Sequence, residues 1–215
     1  MKRKLPLLVG VTGGLGSGKS TVCRYLSQLG CRIFEADRVA KDLQVIDREI
    51  VASIKSLFGD DIYAPDSSGK MVPDRKKIAS IVFSSPQKLA ALNGIVHPGV
   101  FREFHRAVSK AAEDGVRILV KEAAILFESG ANKGLDVVVV VAADTERRID
   151  RAVQKGLGSH DEIAKRISMQ WPQEKLAEKA DFVIMNNGTE EELKKETRAL
   201  YAALLHIAGS VCDCP

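Results

Sequence analysis

Leu7-Leu8-Val9-Gly10-Val11-Thr12-Gly13-Gly14-Leu15-Gly16-Ser17-Gly18-Lys19-Ser20-Thr21 joins an apolar run to a turn that matches G-x-x-x-x-G-K-[ST]. An apolar run feeding a glycine-rich turn predicts a buried strand followed by a phosphate-binding loop. Glycines let the main chain turn tightly and aim its N–H groups inward, and the helix that follows presents its positive dipole end to the same anion. The stretch Gly14, Leu15, Gly16, Ser17, Gly18, Lys19, Ser20 and Thr21 therefore reads as a cradle for a nucleoside triphosphate such as ATP. Lys19 supplies a mobile full charge. Ser20, with Thr21 beside it, offers a hydroxyl to the Mg²⁺ that travels with the nucleotide.

Beyond the loop, Val22, Leu26 and Leu29 fall at helical spacing, and Gly30 is placed to end that helix. Short strands are expected at 31–35, 116–121 and 182–185, with an all-valine run at 137–141 typical of a strand buried on both faces. Strands alternating with helices predict an α/β fold, a doubly wound parallel five-stranded sheet of the P-loop NTPase type. The interval from about 43 to 114 is too long for one crossover helix and reads as a helical substrate-binding insertion. Within it, 86–95 and 100–108 carry separate apolar stripes, and 60–73 reads as a loop or short hairpin. Residues 144–170 carry Arg147, Arg148, Arg151, Lys155, Lys165 and Arg166 around Gly156-Leu157-Gly158-Ser159, and read as a helical lid or else a solvated helix pair. The expected organisation is one domain over 1–215, with core segments about 1–42 and 115–215, the insertion between them, and the lid at 144–170.

The totals narrow the partners. A net charge of +4, with 28 acidic residues interspersed among 32 basic ones, gives no basic stripe for nucleic acid and suits a small anionic substrate. Hydrophobic residues make up 45%, an ordinary share for a globular protein. Met1-Lys2-Arg3-Lys4 resembles the start of a signal peptide, but the apolar run behind it is too short for one. No run approaches the roughly 18 apolar residues that span a bilayer. A soluble, cytoplasmic protein with no membrane partner is expected, a monomer or weak homo-oligomer. Cys23 and Cys31 read as reduced core residues, and Cys212-Asp213-Cys214 as plain tail.

Ligands of doubly wound sheets bind beyond the carboxyl ends of the strands, which directs attention to the residues there. Asp37, after the second strand, can take a hydroxyl proton, order Mg²⁺ through water, or cap the next helix. Glu35 falls on the same side if the strand persists. Glu122, at the end of the third strand, occupies the place of the acid that often supports Mg²⁺ in P-loop proteins. Glu128 can serve the substrate or face solvent. His97, before Pro98, reads as a substrate contact or as a helix-terminating residue. Asn132-Lys133-Gly134-Leu135-Asp136 has one residue too many for the guanine-specifying Asn-Lys-x-Asp, which argues against a GTPase switch.

Taken together these segments resemble the dephospho-coenzyme A kinases, which catalyse the last step of coenzyme A synthesis. The resemblance rests on Val11 to Thr21, Ala36-Asp37, Asp74-Arg75, His97-Pro98, Leu126-Phe127-Glu128, Arg166-Ile167 with Gln170, Ala180-Asp181 and Asn187-Gly188, in the family's order over nearly the whole chain. It implies a kinase using ATP and Mg²⁺ on dephospho-coenzyme A. Asp37 would be the base toward the ribose 3′-hydroxyl, Lys19 and Ser20 would serve ATP and Mg²⁺, and Arg75 and His97 would contact the coenzyme. Arg151 would clamp phosphate from the lid. The chain departs from the family's pattern in having Glu122-Ala123-Ala124 where Asp-x-Pro is common, Lys155-Gly156 where Arg-Asp is common, and Arg148 where glutamine is common.

Overall fold

The computed structural model describes residues 5–210, so the readings made for Met1 to Lys4 and for Cys212 and Cys214 lie outside the described residues. In chain order the elements are β1 (Leu7–Thr12), α1 (Lys19–Gln28), β2 (Arg32–Glu35), α2 (Ala36–Ile46) and α3 (Arg48–Phe58). A short 3₁₀ turn leads into β3 (Tyr63–Pro65) and β4 (Met71–Pro73), followed by α4 (Arg75–Phe83) and α5 (Pro86–Glu113). Then come β5 (Ile118–Glu122), β6 (Val137–Ala142), α6 (Thr145–Gln154), α7 (His160–Ser168), α8 (Gln173–Ala177), β7 (Phe182–Met185) and α9 (Glu190–Ser210). The chain divides into two compact units, one formed by the segments before Ala36 and after Ala107, the other by Ala36–Ala107.

In the first unit five strands pair in the order β2-β5-β1-β6-β7, all parallel. Alternation sorts the valines of β6 onto two faces. Val137, Val139 and Val141 join Val9, Val11 and the α1 residues Val22 and Leu26 in one core, which Leu193, Leu200 and Leu204 of α9 close. Val140 and Ala142 face the opposite side, packing with Leu176, Phe127 and Trp171. Both faces of β6 are thus dry, as its unbroken β-branched composition requires. β1 lies at the centre, and the chain passes from β5 on one side of it to β6 on the other. The loop after β1 therefore leaves the sheet where the strand order switches, the position at which open α/β sheets bind ligands.

The start of the sheet is pinned by two aspartates, each one residue ahead of a strand. Asp136 accepts the Leu8 N–H at 2.7 Å and Asp181 accepts the Val138 N–H at 2.7 Å, satisfying donors that the ladder leaves open. The Asp of the near-match to the guanine motif is therefore occupied at the beginning of β1, the end remote from the phosphate loop.

In the second unit, β3 and β4 form the hairpin expected within 60–73. Asp47 caps α3 by accepting from Glu49 and Ile50 N–H, and Asp74 caps α4 by accepting from Lys77 N–H, the usual use of Asp at helix starts. The two apolar stripes at 86–95 and 100–108 belong to one helix, α5, which runs through Pro98. Pro98 removes one helical donor, but the carbonyl it would serve is that of exposed Gly94, which water can reach. Val96, Val100 and Phe104 stay buried on either side of the proline and hold the helix continuous. His97 consequently lies inside a helix rather than at its end. Among the described residues no helix is long and apolar enough to cross a membrane.

Candidate active site

The loop between β1 and α1 adopts the tight path its glycines permit. Gly16 has φ +76° and Gly18 has φ +101°, left-handed values that side-chain-bearing residues rarely adopt. Gly18 then starts α1, with Thr21 and Val22 N–H returning to its carbonyl at 3.0 and 3.1 Å. Lys19 folds back over the loop, its Nζ donating to Gly13 O at 2.7 Å and to Gly14 O at 3.2 Å. Ser20 is exposed in the first turn of α1, with its hydroxyl available to a ligand.

Three buried side-chain atoms among the described residues have no hydrogen-bond partner, and all three belong to this neighbourhood: Thr12 Oγ1, Ser17 Oγ and Arg151 Nη1. Leaving such groups unpaired costs roughly 1–3 kcal/mol each, so their grouping marks a place built for polar contact. Arg151, in α6, uses its other terminal nitrogen to donate to Asn186 O at 3.0 Å and Oδ1 at 3.4 Å. Asn186 in turn donates from Nδ2 to Ser17 O at 2.8 Å. A Cβ on Gly18 would stand 2.2 Å from that amide nitrogen, so a glycine is needed here for close approach as well as for its φ.

The segment after β7 is tied to the end of β6. Asn186 N–H donates to Ala142 O at 2.7 Å, while Asn187 and Asp144 exchange two hydrogen bonds of 2.8 Å. Gln173 makes a two-point pairing with the Ala143 main chain, accepting at 2.9 Å and donating at 2.8 Å. These contacts position α6 and hence Arg151. Sequence reasoning quoted Asn187 without a role and passed over Asn186 and Gln173. The signal for Asn186 and Asn187 was an amide residue just after a predicted strand, the zone where such sheets hold ligands, whereas Gln173 starts α8 and carried no such signal.

Glu122 ends β5, half-buried, in register with Val11 on one side and Glu35 of β2 on the other. Its neighbour Lys121 points the other way, 1% exposed, with Nζ donating to Ala131 O at 3.3 Å; burial pushes its pKa down to about 8. Glu128 is exposed on the segment between β5 and β6. Cys23 and Cys31 are buried free thiols, Cys31 pushed up to about 12 by burial and Cys23 also pushed well up, chiefly by burial, and so poor nucleophiles. The first unit thus brings together the loop residues, Arg151 and Glu122. Asp37, Arg75 and His97 belong to the second unit: Asp37 is exposed in the first turn of α2, Arg75 is exposed at the start of α4, and His97 is half-buried in α5.

Among the described residues no group of three or more His, Cys, Asp or Glu could hold a metal ion. An exposed serine hydroxyl and one half-buried carboxylate fit Mg²⁺ arriving with a nucleotide, because that ion keeps waters and phosphate oxygens and needs few protein ligands.

The family model described as dephospho-CoA kinase matches residues 7–192. The chain belongs to the dephospho-CoA kinase family. A dephospho-CoA kinase from Chlorobium chlorochromatii is 58% identical over 97% of this chain and 98% of its own length. One from Chlorobaculum tepidum is 56% identical over 96% of this chain and 99% of its own. Among solved structures, one from Thermus thermophilus shares 31% identity with a TM-score of 0.79, covering 94% of this chain and 99% of that one. Membership makes the chain a P-loop kinase.

Proposed function

We propose that the chain transfers the terminal phosphoryl group of ATP to the ribose 3′-hydroxyl of dephospho-CoA, giving coenzyme A. The observation that carries this reading is the clustering of unpartnered buried donors around a glycine loop with Lys19, in a chain of the dephospho-CoA kinase family. The loop amides from Gly14 to Thr21 and the Lys19 ammonium bind the phosphates. Arg151, with Nη1 still available, clamps the group in transit, where negative charge spreads over several oxygens. Ser20 and Glu122 would hold Mg²⁺, which screens charge between the outer phosphates when bound. Asp37, two residues past the end of β2, accepts the proton of the attacking hydroxyl or orients it. Arg75, His97 and Glu128 contact the coenzyme. Residues 43–114 act as the substrate insertion of a single kinase domain and 144–170 as its lid. The enzyme works in the cytoplasm as a monomer or weak homo-oligomer.

The direct test is mass spectrometry of dephospho-CoA incubated with the purified chain, ATP and magnesium. A phosphate at the ribose 3′ position, dependent on both, is expected; an unmodified ribose would overturn the reading. The Asp37→Asn variant is expected to lower kcat by about 10²–10⁴ with ATP affinity nearly unchanged, the range typical of a lost general base. Full turnover in that variant would remove Asp37 from the mechanism.

A further inference from the structure

Arg148 lies in the basic segment 144–170, yet it is only 4% exposed. Its Nε donates to Leu15 O at 2.9 Å, and its Nη2 reaches Gln170 Oε1 at 3.3 Å. The same Gln170 oxygen accepts the Leu15 N–H at 2.9 Å. Both main-chain polar groups of one loop residue are therefore gripped by side chains from elsewhere, one from α6 and one from just beyond α7. The Leu15 side chain completes the grip by packing on Ile149, Ala152 and Ile163. Approach is as close as glycine allows: a Cβ on Gly14 would stand 2.0 Å from Arg148 Nη2, and one on Gly16 would stand 2.1 Å from Arg148 O.

We infer that Arg148 and Gln170 are positioning residues: together they clamp Leu15, hold the phosphate loop in its binding conformation before nucleotide arrives, and join it mechanically to the α6–α7 pair. This rests on the reading that the loop binds ATP. Nothing in it needs Arg148 to touch phosphate, which separates its role from that of Arg151. A preset loop spares binding the entropy of ordering it, so loosening the clamp weakens nucleotide affinity. A glutamine at 148, the residue common in the resembling family, lacks the guanidinium's planar fork and so cannot reproduce both bonds with the same geometry.

The test uses the full chain with Arg148→Ala, Arg148→Lys, Gln170→Ala and the Arg148→Ala/Gln170→Ala double variant. In ligand-free protein, Gln170→Ala is expected to speed hydrogen exchange at the Leu15 amide at least tenfold, with exchange in the β1 and β6 amides unchanged. Each single variant is expected to raise Kd and KM for MgATP about tenfold while KM for dephospho-CoA moves less than twofold. The double variant should be no worse than the poorer single one, since the two side chains act as a unit. Arg148→Lys should behave as Arg148→Ala. Unchanged exchange at Leu15, full rescue by lysine, or effects that multiply would each overturn the clamp. Failure of the unmodified chain to bind MgATP would overturn both the clamp and the nucleotide reading, whereas normal binding with unaffected variants would overturn the clamp alone.

Discussion

Lys121 carries an ammonium into the middle of a parallel sheet, an arrangement that works against stability at neutral pH. Its pKa falls from the ordinary 10.5 to about 8 because burial penalises the charged form. The unfolded chain therefore binds more protons than the folded one between about pH 8 and 10.5, so this group's destabilising effect is full below about pH 8 and is relieved as pH rises across that window. Lys121→Met is expected to stabilise the protein at pH 7 by up to about 3 kcal/mol and to flatten the alkaline rise, checked by urea unfolding at pH 7 and 10. Equal stability gains at both pH values would show that packing, not charge, is responsible. At this scale the sequence was legible where a motif has only one chemistry, as at Lys19 and Ser20. It was silent on Lys121, because strand alternation says which way a side chain points but not what fills the space it enters. Arg148 likewise read as one more basic residue of a surface segment; only the approach of α6 to Gly14 and Gly16 buries it.

Among the elements, α7 shows how local chemistry alone places a helix start. Ser159 accepts from Glu162 N–H while Glu162 returns its carboxylate to Ser159 N–H, a capping box written in sequence as S-x-x-E. Ser159→Ala is expected to cost about 1 kcal/mol, seen as a lower urea midpoint with unchanged slope and faster amide exchange in the first turn of α7. No change in either quantity would assign the helix start to packing through Ile163 instead. The boundaries of α6 and α7 around Gly156 to Ser159 were legible for the same reason. α5 was read as two stripes because a proline after His97 signals a helix boundary, but burial of Val96, Val100 and Phe104 outweighs one missing hydrogen bond.

For the whole molecule, nucleotide binding and folding are linked, since a ligand that binds only the folded state stabilises it. MgATP at a hundred times its Kd is expected to add about 2.7 kcal/mol, a Tm rise of about 5–10 °C for a chain of this size. Lys19→Ala should lose most of that rise while melting normally without ligand; an equal rise in both proteins would place the nucleotide elsewhere. The sequence by itself determined the parallel sheet and its phosphate loop, because strand period, β-branched runs and glycine spacing are properties of neighbouring residues. It also carried the ordered set of motifs by which the family is recognised. Only the tertiary structure decided the strand order β2-β5-β1-β6-β7, the burial of Arg148, and the chain of contacts from Arg151 through Asn186 to Ser17. Those depend on which surfaces meet across 35 to 170 residues of chain, as between Asn186 and Ser17, 169 apart, and no local periodicity records such a meeting.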